Sequence, residues 1–96
     1  GLCSLRRNYR RTKMNKVSFV YAKNTYDAYD AQRIVFEACK YKSNIQIENG
    51  TKRGNAKSII GLLSMNFLKG DEYAIVAEGP DSRSAAQGLA DFIVRL

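Results

Sequence analysis

Gly54-Asn55-Ala56-Lys57-Ser58-Ile59-Ile60-Gly61-Leu62-Leu63-Ser64-Met65 places a hydroxyl at the mouth of a short apolar run, with a lysine and an amide beside it. Serine is a residue type that caps helices, because its oxygen accepts from first-turn N–H groups that have no partner of their own. The same terminus carries the positive end of the helix dipole, so a phosphate on Ser58 would meet a favourable field. The apolar residues that follow cannot all face inward at helical spacing, so part of Ile59, Ile60, Leu62 and Leu63 is core and the rest is surface. Gly61 among them would permit close approach of a partner or of a neighbouring helix.

Upstream, Lys16-Val17-Ser18-Phe19-Val20-Tyr21 alternates with Val17, Phe19 and Tyr21 on one face, the pattern of a half-buried strand. A loop over Ala22 to Tyr26 leads to Asp27–Tyr41, where Ala31, Ile34, Val35, Ala38 and Tyr41 recur at helical spacing and Phe36 falls on the far side. Asn44 to Glu48 alternates again and runs into Asn49-Gly50, a strong hairpin signal whose residues both tolerate positive φ. The returning strand, Thr51 to Asn55, is weakened by Gly54. Downstream, Lys69-Gly70-Asp71 stops the short helix, and Glu72 to Glu78 reads as a central strand with little polar interruption. Gly79-Pro80-Asp81-Ser82 supplies a turn and an N-cap for a last helix striped by Ala85, Leu89, Phe92 and Ile93. The order strand, helix, strand, strand, helix, strand, helix predicts an α+β fold, an open-faced sandwich of four antiparallel strands with three helices on one face.

Ninety-six residues suffice for one domain. The net charge of +7 is concentrated at one end, where Arg6, Arg7, Arg10, Arg11 and Lys13 have no acid among them. From Met14 onward 11 basic residues face 9 acidic ones, a net of +2. Residues 1–13 therefore read as a disordered basic arm and 14–96 as the domain. No apolar run approaches the ~20 residues of a membrane-spanning helix. Leu2-Cys3-Ser4-Leu5 is far short of the roughly 7–15 apolar residues of a signal-peptide core, so a cytoplasmic location is expected. In that compartment Cys3 and Cys39 are expected as free thiols. The chain has no histidine. Histidine-based nucleophiles and metal sites are thereby excluded, and two cysteines cannot build a zinc site, so no metal and no cofactor is expected.

The Lys57-Ser58 segment, the Asn49-Gly50 hairpin and the order of elements from Met14 to Leu96 closely resemble HPr, the small phosphocarrier of the bacterial sugar phosphotransferase system. The likeness implies the same four strands and three helices, and a chain that starts near Met14, which would make residues 1–13 an upstream remnant. HPr proteins carry phosphate on a histidine at the start of the first helix, followed by an arginine that neutralises the phosphate and then a proline. In register, Asp27 stands for the histidine, Tyr29 for the arginine and Asp30 for the proline. Two carboxylates would then stand where a dianionic group must arrive, and like charges near 4 Å repel by roughly 1–4 kcal/mol. Asp27 and Asp30 are also good helix-start residues. Asp27 could instead mimic a charged state. An aspartyl phosphate there lacks a neighbouring lysine or ligand cluster in the sequence.

Around Ser58 the match is intact. The resemblance implies a regulatory phosphoserine at Ser58, as in histidine-less relatives of the Crh type. It also implies a docking surface of Lys57, Ile59, Ile60 and Leu63. The expectation is a non-enzymatic, non-carrier regulatory module with a degenerate active site. Its partners would be proteins: phosphotransferase components, a serine kinase or a transcriptional regulator. Two alternatives are an HPr-fold scaffold or subunit for an unrelated partner, and a small RNA-binding protein that uses the basic arm with Tyr21 and Tyr73 exposed on the sheet.

Overall fold

The structure, a computed structural model, describes residues 14–96, so the expectations for the basic arm and Cys3 lie outside the described residues. Strand β1 (Met14–Val20) is followed by α1 (Ala28–Ala38), β2 (Asn44–Asn49), β3 (Lys52–Asn55), α2 (Ile59–Met65), β4 (Glu72–Glu78) and α3 (Ser82–Val94). The sheet is antiparallel in the order β1-β4-β2-β3, with Val17 opposite Ile75 and Ile75 opposite Ile47. The apolar run of Glu72–Glu78 is thus explained by its central place. With the helices packed on one side, this is the four-stranded open-faced sandwich that the element order predicts.

Phe67, in the α2–β4 connection, is the hub of the aromatic core. It stacks on Tyr21 at 5.2 Å and meets Tyr26 at 4.8 Å and Tyr73 at 4.5 Å, both edge-to-face. Such pairs add about 0.5–1.5 kcal/mol each beyond their area burial. The hydroxyls are satisfied as well: Tyr21 donates to the Thr25 carbonyl at 2.8 Å, and Tyr73 accepts from the Leu68 amide at 2.8 Å. Tyr21 and Tyr73 are therefore buried core residues, not the exposed sheet aromatics that an RNA-binding reading requires. Their position on the strand face that carries Phe19 turns them toward the helices.

The hairpin register differs by one residue from the expected Asn49-Gly50 turn. Asn49 pairs with Lys52, which makes Gly50 and Thr51 the two central residues, and among the hairpin residues only Gly50 has positive φ, at 60°. That is the pattern of a two-residue turn with glycine first. The first helix also ends earlier than expected, at Ala38, which leaves Tyr41 beyond it.

Gly54 does more than weaken β3. A Cβ there would come within 2.8 Å of the Gly61 carbonyl oxygen, and one on Gly61 would come within 3.1 Å of the Asn55 backbone. The two glycines let α2 lie directly on β3, so the close approach available at Gly61 is already taken within the chain. Gly54→Ala should cost about 1–3 kcal/mol in a urea unfolding curve, since the obstacle is backbone. Retained stability would show that α2 can slide away.

A second tie joins the α1–β2 turn to the start of α3. Asp81, at the N-cap position, makes no side-chain cap bond and instead accepts from the Ser43 hydroxyl, the Lys42 amide at 2.9 Å and the Ser43 amide at 2.8 Å. The Ser43 hydroxyl first, then these amides, hold its carboxyl below the ordinary carboxylate range. A carboxyl depressed in the folded state stabilises above its unfolded pKa of about 3.9, and that contribution is lost as pH falls through the lower folded value. Asp81→Asn should therefore lower Tm at neutral pH and shrink the loss of Tm on acidification below about pH 4. Parallel Tm–pH curves for the two proteins would contradict this.

Candidate functional site

The loop after β1 delivers Asp27 to the N-cap of α1 with an extended backbone, φ −129° and ψ −178°. Its Oδ1 accepts from the Asp30 amide at 3.0 Å, and Asp30 Oδ2 accepts from the Asp27 amide at 3.4 Å, a reciprocal capping box. Asp30 is only 1% exposed, and its Oδ1 accepts from Lys23 Nζ at 2.8 Å. A lysine that the sequence did not associate with this segment therefore neutralises one of the two carboxylates. Asp30 is a paired structural acid, and the charge open to solvent is that of Asp27. Tyr29 projects outward, 66% exposed.

Two phenols lie behind these acids. Burial, with Asp30 and Asp27 adding repulsion, pushes the Tyr21 hydroxyl up to about 12, and burial raises Tyr26 further. Both stay protonated at neutral pH and act as donors. Tyr26 Oη donates to the Leu62 carbonyl of α2 at 2.6 Å, which joins the Asp27 segment to the Ser58 helix. The sequence treated these segments as separate sites, and Tyr26 only as a loop residue.

At α2, Ser58 adopts an extended conformation, φ −116° and ψ 123°, and its Oγ accepts from the Gly61 amide at 3.3 Å. The cap is present but long. Asn55 orders the approach, its Oδ1 accepting from the Lys57 amide at 2.9 Å and its carbonyl from the Ser58 amide at 3.0 Å. Lys57 Nζ donates to the Tyr41 carbonyl at 2.7 Å. That lysine is tied to the connection between α1 and β2, which sets it apart from the apolar residues grouped with it. Ile59, Ile60 and Leu63 are 40%, 74% and 46% exposed, while Leu62 and Met65 are buried. The split of the apolar run into core and surface is thus resolved, and Leu68 just past the helix is a further exposed apolar residue.

The open-faced sandwich and the capped serine of the short second helix have the architecture that the resemblance to HPr leads one to expect, although the first helix starts without a histidine. A sequence model described as "PTS HPr component phosphorylation site" matches residues 19–95. The HPr-like protein Crh of Bacillus subtilis is 35% identical over 74 residues, 77% of this chain and 87% of that one. Crh of Halalkalibacterium halodurans is 38% identical over 74 residues, 77% of this chain and 88% of that one. Among solved structures, a Mycoplasma histidine-containing phosphocarrier protein superposes with a TM-score of 0.77 at 32% identity, covering 84% of this chain and 93% of that one. The chain belongs to the HPr family and resembles its Crh members. Among the described residues no helix is long and apolar enough to cross a membrane.

The two caps should separate in mutational cost. Ser58→Ala removes one long bond, so its loss should fall near the low end of the ~0.5–2 kcal/mol range for N-caps. Asp27→Ala removes the shorter bond, 3.0 Å from the Asp30 amide, while the residue-27 amide can still donate to Asp30, and it should cost about 1 kcal/mol. Urea unfolding of both variants checks the ranking, and equal costs would mean that the box is not formed in solution.

Proposed function

We propose that this protein is a non-enzymatic, non-carrier member of its family, a cytoplasmic protein-binding module in the control of carbohydrate uptake. The observation that carries this reading is the contrast between its two family sites. At the α1 start, the position matched to the family's histidine is Asp27, whose carboxylate is engaged as a cap, with Tyr29 in the place of the arginine that would neutralise a phosphate and Asp30 in that of the proline. At α2 the serine, its helix amides and an exposed Ile59, Ile60 and Leu63 are all in place.

On this reading Ser58 is a regulatory phosphorylation site for a serine kinase. Ile59, Ile60 and Leu63, with Lys57 at the edge, form the docking surface for a phosphotransferase component or a transcriptional regulator. A phosphate on Ser58 would gain the positive helix terminus and put charge beside the apolar patch, where a partner must meet it with a cation such as arginine. Bacillus subtilis Crh, whose solution structure is 29% identical with a TM-score of 0.63, is described there as a catabolite repression HPr, and that likeness supports the regulatory reading.

Transfer of radiolabel from phosphoenolpyruvate through the general phosphotransferase enzyme should leave this chain unlabelled. An HPr-serine kinase should label it, and Ser58→Ala should abolish that label. Asp27→His alone should not restore transfer, because the missing arginine and the Lys23–Asp30 pair remain. The fair comparison is the triple variant with Tyr29→Arg and Asp30→Pro. Rapid labelling of the unaltered chain by phosphoenolpyruvate would overturn the non-carrier reading. Partner binding indifferent to both Ser58→Asp and Ile60→Asp would overturn the regulatory one.

A further inference from the structure

Lys57 reaches away from the segment to which its backbone belongs. Its amide is fixed, donating to Asn55 Oδ1 at 2.9 Å, so what remains free to move is the side chain. That side chain belongs to a half-buried residue and ends on the Tyr41 carbonyl, 2.7 Å from Nζ. Among the described residues no carboxylate pairs with the ammonium. Lys57 is also the only charged residue between Gly54 and Met65. A full positive charge is therefore held by a neutral acceptor, one residue from the Ser58 hydroxyl.

The acceptor sits at a junction. Among the described residues the Tyr41 carbonyl has no donor besides Lys57. It belongs to the connection between α1 and β2, which is held to α3 at two points. The Lys42 and Ser43 amides donate to Asp81, and the Tyr41 hydroxyl lies against Gly88, where a side chain would not fit. The ammonium thus links the start of the Ser58 helix to the connection that meets α3.

A carbonyl offers Lys57 only a partial charge. Phosphoserine carries about −1.5 to −2 at neutral pH, spread over three strong acceptor oxygens. A lysine ammonium is a compact charge on a flexible four-carbon stem with three rotatable donors, so it can follow the stronger field. We propose that Lys57 is a phosphate-operated latch: in the unmodified chain it closes on the Tyr41 carbonyl, and a phosphate on Ser58 draws it away. The latch rests on the reading of Ser58 as a phosphorylation site and adds two consequences to it. Lys57 joins the surface of Ile59, Ile60 and Leu63 only in the phosphorylated chain. Its departure also leaves the Tyr41 carbonyl without its donor, so the state of Ser58 is registered at the connection between α1 and β2 as well as at the patch.

The test uses the full chain with phosphoserine placed at position 58 by genetic encoding, which makes it independent of any kinase. On phosphorylation the Tyr41 carbonyl and Lys42 amide NMR signals should shift toward their values in unphosphorylated Lys57→Met, a variant that keeps most of the apolar stem. In Lys57→Met itself the phosphate should leave those signals unmoved, and Lys57→Arg should preserve the response. By phosphorus NMR, the phosphate should lose its second proton at lower pH in the unaltered chain than in Lys57→Met, because a nearby cation favours the dianion. Silent Tyr41 and Lys42 signals in the phosphorylated, otherwise unaltered chain would overturn the latch. So would an equal shift in Lys57→Met, or a phosphate titration indifferent to that change. The two failures are distinct: a chain that a serine kinase leaves unlabelled removes the regulatory reading, whereas these signals, read on the encoded phosphoserine, judge the latch.

Discussion

The seat of α2 on β3 depends on two backbones approaching more closely than any side chain would allow. Gly54 and Gly61 lie together there, with no room for a methyl group on Gly54 and only a tight fit for one on Gly61. A helix of seven residues has little stability of its own. Its position therefore comes from that contact, from the buried Leu62 and Met65, and from the Tyr26 hydroxyl on its Leu62 carbonyl. Once α2 is fixed in this way, Ser58 must stand at its N-terminus, and Ile59, Ile60 and Leu63 must face solvent.

The α1 start is built on a different logic. A phosphocarrier site needs an unencumbered nucleophile and a cation free to receive the phosphate. Here Asp27 is spent as a cap, and the nearest lysine, Lys23, is spent on the buried Asp30. On the function proposed above, capping side chains make this helix terminus a structural one. The terminus keeps its partial positive charge, but a resident carboxylate now uses it. The same economy appears at Asp81, whose carboxylate ties two loops together and leaves its own helix without a side-chain cap.

The helical layer consequently presents two surfaces of different chemistry. Around α2 the exposed side chains are aliphatic and uncharged, which suits burial against a complementary apolar partner whose affinity a single added charge can alter. On α1 the exposed side chains include the aromatic Tyr29 and Phe36, and Arg33 lies between the rings of Tyr29 and Phe92.

The sequence alone determined the order of elements, the open-faced sandwich, the central place of Glu72–Glu78 and the two helix starts. All of these follow from period, glycine and proline positions, and capping residues, which are local signals. The family resemblance added which of the residues after Ser58 stay exposed, a division that helical period by itself left open. Tertiary structure alone decided the rest. Phe67 lies in a connection with no periodicity to mark it as the aromatic hub. Lys23 reaches Asp30 only because the loop after β1 folds back. Gly54 and Gly61 are distinct signals in the sequence but a single contact in space. Tyr21 and Tyr73 could be placed on one sheet face by alternation, yet only the packing of three helices against that face decided that they are core.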